Sequence, residues 1–436
     1  VEPDVSEVRA ENSLEQAMVG YQKFLEQAPE SSLTPEAMRR LADLKLEKEY
    51  GILGDGEITE LPAPQAARLD EAQPARPQRA APDGAAESDQ DFERRASSST
   101  GFGPEADTGS LELPGGRQLA SGGPAEAIEL YDQILAAYPN YQHNDEVLYQ
   151  KARALDELGR VDEAVEVIER LTAEFPYSAH LDEVQFRRAE YYFTRRKYRQ
   201  AEDAYAAVRS LGAGSEYYEL ALYKLGWTFY KQELHEEALH EYVALLDHKV
   251  STGYDFDHAV DEDEERRIAD TYRVVSLCFS NLGGPEQVDA YFAANGERSY
   301  EDRIYSRLAE FYLEKLRYQD AASAYDAFVA LHPLHRVSPH FSMRVVEIYE
   351  AGGFPKLVLE SKKAFAANYG LQSEYWRHFD VRDAPEVQSY LRANLQDLAG
   401  HYHALYQGAE RPEEKPAHFE EALTWYRAYL ASFPSD

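Results

Sequence analysis

The stretch ALYKLGWTFYKQELHEEALHEY, residues 221–242, combines two helical patterns that are separated by a short polar break. Gly226 and Phe229 fall on one side of a first helix, and Ala238 and Tyr242 fall on one side of a second helix. Each helix therefore has a small residue that is followed, three or four positions later, by an aromatic residue. Small side chains allow two helices to approach closely, and an aromatic ring fills the space beside the contact, so the stretch predicts a helical hairpin.

The small positions recur every 37 residues along much of the chain, and the two small positions of one unit lie 12 residues apart. A fixed period of this length is typical of a stacked array in which every unit covers the hydrophobic face of its neighbour. Prolines after the second helices stop these helices and separate the units. The first-helix positions are Ala152, Ala189, Gly226, Ala309 and Val346, the second-helix positions are Ala127, Ala164, Ala201, Ala238, Ala321 and Val358, and the prolines are Pro139, Pro176, Pro333 and Pro434.

The segments KLGWTFY and EEALHEY resemble the tetratricopeptide repeat, which has a small residue at its eighth place, an aromatic at its eleventh, alanine at its twentieth and proline near its thirty-second. The resemblance covers most of the chain outside residues 51–121. It implies an all-α fold, a right-handed superhelical solenoid of about eight helical hairpins. The 37-residue interval further resembles the bacterial envelope branch of this family, with its Tol-Pal-associated periplasmic repeat protein and its outer-membrane barrel-assembly lipoprotein.

Composition divides the chain into five parts. Residues 1–50 predict N-terminal repeat helices, residues 122–250 predict regular repeat units, and residues 268–436 predict further units with insertions. Residues 51–121 are rich in Ala, Pro, Gly, Ser and charged residues and have hardly an aromatic residue. Such a segment cannot bury enough surface to offset its chain entropy, so we predict a long disordered insertion there. Residues 251–267 predict an acidic loop.

The predicted insertion interrupts a hairpin. The helix predicted at residues 35–49 is not followed by its partner, and the matching pattern returns only at residues 124–137. The offset from Ala17 to Ala42 is 25 residues, as it is between units elsewhere in the array. Because the entropy of loop closure grows only logarithmically with length, we predict that the two helices form one hairpin. A true domain boundary at the insertion is the alternative.

The charge balance limits the classes of partner. The chain has 79 Asp and Glu against 45 Lys and Arg, a formal net charge of −34. This charge opposes binding to nucleic acid and docking on an anionic bilayer. No apolar run approaches the roughly 20 residues that span a bilayer, so we expect no direct membrane insertion. The chain begins VEPDVSEVRAEN, which lacks a signal-peptide pattern. Because it starts at valine and not at methionine, we expect a processed chain or a fragment.

No pattern indicates an enzyme, a cofactor or a metal site, so we predict no catalytic residue, no cofactor and no metal. Histidines in LHPLHRVSPHF, and at His401 and His403, lack the carboxylate or cysteine frame of a metal site. The acidic run 261–265 lacks the glycine-turned spacing of a calcium loop. LPGGRQLASGG has neither a preceding strand nor the Gly-Lys-Ser/Thr of a phosphate loop. Cys278 lies in the apolar run VVSLCF and predicts a buried side chain.

The resemblance implies that the first helices line a concave groove. Helical spacing then places the residues three before, one after and four after each small position on the groove surface. Clustered aromatic residues with a neighbouring cation are typical of interaction hot spots, although the same rings could instead pack on neighbouring units. The candidate partner-binding residues are Tyr149, Arg153, Phe186, Glu190, Phe193, Tyr223, Trp227, Tyr230 and Lys231.

These observations favour a non-catalytic scaffold that binds a partner protein or peptide through its concave groove. The resemblance implies a role in bacterial cell-envelope assembly or maintenance within a multiprotein complex. It places the chain in the periplasm or at the outer membrane, with a cytoplasmic location as the alternative. Two other functions stay open: a structural subunit that assembles through the ends and loops of the array, and an accessory module of a larger enzyme or transport complex.

Overall fold

The described residues of the chain are helical, with short 3-10 segments and no strand among them. The all-α prediction is therefore confirmed, and the repeating element is a helical hairpin. Contacts divide the chain into two compact units, a first unit over Val1–Tyr254 and a second unit over Asp255–Asp436. The computed structural model describes residues 13–28, 31–50, 88–97, 123–258, 261–411 and 413–434.

The first unit is a stack of paired helices. α5 packs on α6, α7 on α8, and α9 on α10, and successive pairs contact each other through α6 with α7 and α8 with α9. The pairs correspond to the predicted 37-residue units. The helices are α1 (Ser13–Gln27), α2 (Thr34–Tyr50), α3 (Asp89–Ala96), α4 (Gly123–Ala137), α5 (Asn144–Glu157), α6 (Val161–Glu174), α7 (Leu181–Thr194), α8 (Tyr198–Leu211), α9 (Tyr218–Lys231) and α10 (His235–Ser251).

α2 and α4 form the predicted hairpin across the insertion. Ala42 and Ala127 are completely buried in the same hydrophobic core. The Tyr131 hydroxyl on α4 donates a hydrogen bond to Asp43 Oδ1 on α2 at 2.6 Å. The prediction that these two helices form one hairpin across the insertion is confirmed. Most of the predicted disordered insertion, residues 51–87 and 98–121, lies outside the described residues.

Residues Ser88–Ser97 are an exception to the predicted disorder, because they contain the helix α3. The Ser88 side chain caps the helix by accepting a hydrogen bond from the backbone N–H of Asp91 at 3.1 Å. The Phe92 side chain is only 1% exposed. The composition of the whole insertion did not reveal this helix, because eight residues with one aromatic ring hardly change the average over the segment.

The turn inside a hairpin repeats the same backbone conformation. One residue of each of five turns lies in the left-handed region, and these residues are 37 positions apart within the first unit and again within the second unit. Two of the turns have glycine at this position, which adopts the left-handed conformation without steric cost. The other three have a residue with a side chain there. The residues and their φ angles are Gly159 at 71°, Arg196 at 58°, Glu233 at 62°, Leu316 at 57° and Gly353 at 74°.

The second unit continues with hairpins of α13 with α14, α15 with α16, and α17 with α18, and α11 contacts both α12 and α13. Two short 3-10 segments, Glu374–Arg377 and Val381–Asp383, form the insert before α17. The helices are α11 (Glu262–Leu282), α12 (Pro285–Asn295), α13 (Glu301–Glu314), α14 (Tyr318–Leu331), α15 (Ser338–Gly352), α16 (Pro355–Tyr369), α17 (Pro385–Gly408) and α18 (Lys415–Ser432).

The predicted acidic loop 251–267 is wrong over residues 262–267, where the acidic run is helical. α11 begins at Glu262. Asp261 precedes it, and its side chain accepts a hydrogen bond from the backbone N–H of Asp263 at 3.0 Å. Four acidic residues fill the first turn of α11, where the positive end of the helix dipole stabilises negative charge. The acidic run therefore starts a helix.

Candidate partner-binding surface

The nine candidate residues lie on the first helices α5, α7 and α9 of three successive hairpins. All of them except Tyr230 and Lys231 are buried, and these two are half-buried. The prediction of an exposed aromatic groove therefore does not describe the whole set. Their contacts divide the candidates into two groups. Some pack between the helices of the array, and others contact the helix α3.

Tyr149 and Phe186 pack between neighbouring hairpins. The Tyr149 ring stacks on His180, with ring centroids 4.0 Å apart. The Phe186 ring contacts Tyr205 and Tyr217 at centroid distances of 5.6 and 5.2 Å. Each ring is 1% exposed. For these two residues the structure supports the alternative that the aromatic rings are core residues, and a role in partner binding stays a prediction.

Glu190 and Phe193 belong to a buried charged cluster on α7 and α9. Glu190 accepts a hydrogen bond from the Tyr205 hydroxyl, and its Oε1 lies 3.6 Å from Lys224 Nζ. The same ammonium group lies 5.7 Å from the centroid of the Phe193 ring. A buried carboxylate requires such partners, because removing its charge from water is costly. Sequence reasoning missed Lys224, which the helical pattern places in the hydrophobic run of α9.

Arg153 is a buried arginine on α5. Its side chain is 7% exposed, and its guanidinium carbon lies 5.5 Å from the centroid of the Tyr149 ring. Within the described part of the chain, Nη1 and Nη2 of Arg153 have no hydrogen-bond partner. A guanidinium group stays charged at any physiological pH. Arg153 is therefore a buried charged group on α5, and its role in partner binding stays a prediction.

Trp227, Tyr230 and Lys231 at the end of α9 form a continuous patch, which we call the α9 surface. The rings of Trp227 and Tyr230 stack with centroids 5.0 Å apart and an interplanar angle of 14°. The ammonium group of Lys231 lies 5.8 Å from the centroid of the Trp227 ring. The neighbouring candidate Tyr223 is 7% exposed and packs edge-on against Tyr242 at 5.9 Å. An aromatic pair beside a cation is a suitable binding site for an aromatic side chain.

The helix α3 occupies the α9 surface. The Phe92 ring meets the Trp227 ring edge-on, with centroids 5.7 Å apart and an interplanar angle of 77°. The indole N–H of Trp227 donates a hydrogen bond to Ser97 Oγ at 3.0 Å. Lys231 forms an ion pair with Glu93. A ring contact, a hydrogen bond and an ion pair therefore fix one short helix against Trp227 and Lys231, which lie one turn apart on α9.

Sequence reasoning missed Phe92, Glu93 and Ser97. A signal was present, because Ser88 precedes Asp91 by three residues in the pattern of a helix start, and an aromatic residue follows at once. The pattern shows a short helix only. It does not show which surface that helix contacts.

Comparison with known families agrees with this geometry. A family model described as tetratricopeptide repeat matches residues 118–185, and another of the same description matches residues 186–251. The chain contains tetratricopeptide repeats. These two matches cover α4 to α10 and every candidate residue. No curated protein matched the sequence.

Several solved structures are similar to this chain at low sequence identity. The C-terminal part of a repeat-containing protein from Cytophaga hutchinsonii is 16% identical, covers 66% of this chain and 96% of its own length, and has a TM-score of 0.27. A tetratricopeptide repeat protein from Parabacteroides merdae is 11% identical, with coverages of 63% and 93% and a TM-score of 0.29. The apo form of RapI is 12% identical, with coverages of 71% and 93% and a TM-score of 0.28. Scores of this size support no further conclusion about this chain.

Two further findings concern the part of the chain that the structure describes. None of its helices combines the length and the apolar character that crossing a bilayer requires. Among the same residues, no group of three or more His, Cys, Asp or Glu side chains is placed to hold a metal ion.

Proposed function

We propose that this protein is a non-catalytic scaffold that binds a helical segment of a partner protein on the α9 surface. The contact between α3 and α9 is the observation that carries this proposal. It supplies an example, within the same chain, of a short helix bound by the repeat array. Tetratricopeptide repeats are generally protein-binding modules, and an aromatic patch beside a lysine is a typical hot spot.

Site-specific photocrosslinking tests this proposal. A photoreactive benzoylphenylalanine replaces Tyr230 on the α9 surface in one full-length protein and Tyr177 in a matched control. Tyr177 lies in the same unit, outside the candidate set, and is 97% exposed. Irradiation in extracts of the source cells is expected to join position 230, and not position 177, to a second protein. The absence of any intermolecular product from position 230 would contradict the proposal.

We place this binding role in the bacterial cell envelope, in the periplasm or at the outer membrane. The 37-residue interval and its likeness to the envelope branch of the family support this placement, and the net charge of −34 is compatible with it. Fractionation of the source cells, followed by detection with an antibody, tests it. Recovery with a cytoplasmic marker enzyme would refute the envelope location without affecting the binding proposal.

A second candidate function, assembly through the end of the array, rests on α18. Phe419, Tyr426 and Leu430 on this helix are 46%, 41% and 59% exposed, which is unusual for large apolar side chains on one helix. Light scattering of the purified chain and of Leu430→Arg tests this function. A wild-type oligomer that dissociates in the variant would support assembly, whereas a monomeric wild-type chain would rule out self-assembly through α18.

A further inference from the structure

We infer that α3 is an internal competitor for the α9 surface and that the partner segment has the chemistry of α3. This inference rests on the proposed binding function and specifies its ligand. The expected segment is a short amphipathic helix with an aromatic anchor, a carboxylate at the next position and a hydroxyl group five positions after the anchor. Phe92, Glu93 and Ser97 provide these groups within the chain.

Each group on α3 has a complementary group on α9. The edge of the Phe92 ring faces the Trp227 ring, an arrangement in which the electropositive edge of one ring contacts the electron-rich face of another. The Trp227 indole N–H can only donate, so it selects an acceptor such as Ser97 Oγ. The Lys231 ammonium group selects the carboxylate of Glu93. A bound helix without these groups would not supply an acceptor to the Trp227 N–H or a carboxylate to Lys231.

α3 is attached by a single face, so its release breaks the contacts of that face only. Phe92 and Ala96 are buried, whereas Gln90, Asp91 and Arg94 on the remaining surface are exposed. The helix has only eight residues, and isolated helices shorter than about 12 residues are marginal in water. Its order therefore depends on the α9 surface, and a segment that takes this surface removes the main support of α3.

Occupancy by α3 lowers the apparent affinity for a partner. The fraction of molecules with an open α9 surface multiplies the intrinsic binding constant of any competing helix. Covalent attachment favours α3 over a free peptide with the same sequence, since binding within one chain avoids the entropy of association. A partner must therefore bind more tightly than a free copy of α3, or engage additional surface of the repeat array. The closed state thus excludes weak ligands from the α9 surface.

A charge-reversal cycle on the full-length chain tests the inference. The probe is a fluorescent peptide of residues 88–97, SDQDFERRAS, and its binding is measured by anisotropy. Glu93→Lys repels α3 from Lys231 and leaves α9 unchanged, so it is expected to bind the probe at least tenfold more tightly than the wild-type chain. Gln90→Lys introduces the same charge on the exposed face of α3 and is expected to behave like the wild type.

The reciprocal variants identify the pairing. Lys231→Glu is expected to lose binding of the wild-type probe and to bind a peptide that carries Glu93→Lys. The double variant Glu93→Lys/Lys231→Glu restores the ion pair within the chain and is expected to return probe binding to the weak wild-type level. Circular dichroism of each variant verifies that the repeat array keeps its helical content.

Release of α3 has an independent optical readout. In a Trp376→Phe/Trp425→Phe background, Trp227 is the remaining tryptophan of the chain. Its fluorescence is expected to be quenched by acrylamide severalfold more efficiently in Glu93→Lys than in Gln90→Lys. Equal probe affinity and equal quenching in Glu93→Lys and Gln90→Lys would refute the inference that α3 competes for the α9 surface. A more exposed Trp227 without probe binding would overturn the assigned partner chemistry. Neither result affects the photocrosslinking test of the binding function.

Discussion

Gly226 on α9 lies against the ring of Tyr242 on α10 so closely that a Cβ atom at position 226 would be 2.8 Å from Cε2 of this ring. Tyr242 is completely buried, so its ring cannot move aside into solvent. This contact explains the order of small and aromatic residues in the stretch 221–242. The small residue admits the aromatic ring of the second helix, and the two helices close on each other.

Gly226→Ala is expected to destabilise the first unit by about 1–2 kcal/mol. Overpacking of a core costs about 1–3 kcal/mol, and the better helix propensity of alanine returns up to about 1 kcal/mol. Gly20→Ala in α1 is the matched control, because a Cβ atom there would have nothing within 4 Å. It is expected to raise the free energy of unfolding by about 0.5–1 kcal/mol. Urea denaturation of both variants measures the difference, and equal stability changes would refute the close contact.

Leu316→Gly is expected to stabilise the second unit by about 1 kcal/mol. Leu316 has a φ angle of 57°, and the left-handed conformation costs a residue with a side chain about 1–2 kcal/mol. Its side chain is 69% exposed, so the substitution removes little packing. The greater freedom of glycine in the unfolded chain offsets part of the gain.

The reverse substitution in the next turn, Gly353→Ala, is the control for this backbone effect. Gly353 has a φ angle of 74°, and a Cβ atom there would meet nothing within 4 Å. A loss of about 1 kcal/mol is therefore expected from the conformation alone. Thermal unfolding of both variants, followed by circular dichroism, checks the opposite signs. A destabilised Leu316→Gly would show that the exposed leucine contributes packing to the turn.

Asp43 is expected to make stability fall as the pH rises from about 4 to 6. Burial raises the pKa of Asp43 to about 6, although the hydrogen bond from Tyr131 and the charge of Arg39 act in the opposite direction. The folded chain therefore binds more protons than the unfolded chain between the ordinary pKa and about 6. The corresponding stabilisation at low pH is up to about 3 kcal/mol.

Asp43→Asn is expected to remove this contribution to the pH dependence, because asparagine does not titrate. The pKa of Glu36, in the same cluster, is shifted in the opposite direction, so this residue affects stability in a lower pH range. Despite burial, hydrogen bonds from Tyr141 and Arg39 lower the pKa of Glu36 to about 2, so its contribution is lost as the pH falls below about 4.5. Urea titrations of both chains between pH 4.5 and 6.5 isolate the Asp43 effect. Parallel curves would show that Asp43 stays ionised in this range.

Cys278 is expected to resist thiol reagents in the folded chain. The side chain is completely buried on α11, and burial raises the pKa of its thiol to about 12. The thiolate is the reactive form, so a shift from 9.0 to about 12 lowers its population about a thousandfold before access is considered. Because the chain has one cysteine, colorimetric labelling with and without urea measures this directly. Complete native labelling within minutes would contradict the buried position.

Much of the fold could be predicted because it depends on local and periodic information. The small and aromatic positions of one hairpin lie within a few turns of each other in sequence, so each unit repeats the same signal. The hairpin of α2 and α4 could be predicted for the same reason, since the residues around Ala42 and Ala127 each carry half of the repeat pattern. The helix α3 in the insertion and the helical start of α11 in the acidic run could not be predicted in this way, because average composition conceals where a capped helix begins.

The sequence by itself determined the helical hairpins, their 37-residue interval and their continuation across the insertion. Only the tertiary structure decided which candidate residues are core and which contact α3. Trp227 and Ser97 are 130 residues apart, and no repeating signal relates two such positions. Periodic hydrophobic contacts are encoded in each unit, whereas a unique contact between distant segments depends on complementary shape and charge that arise only when the chain has folded.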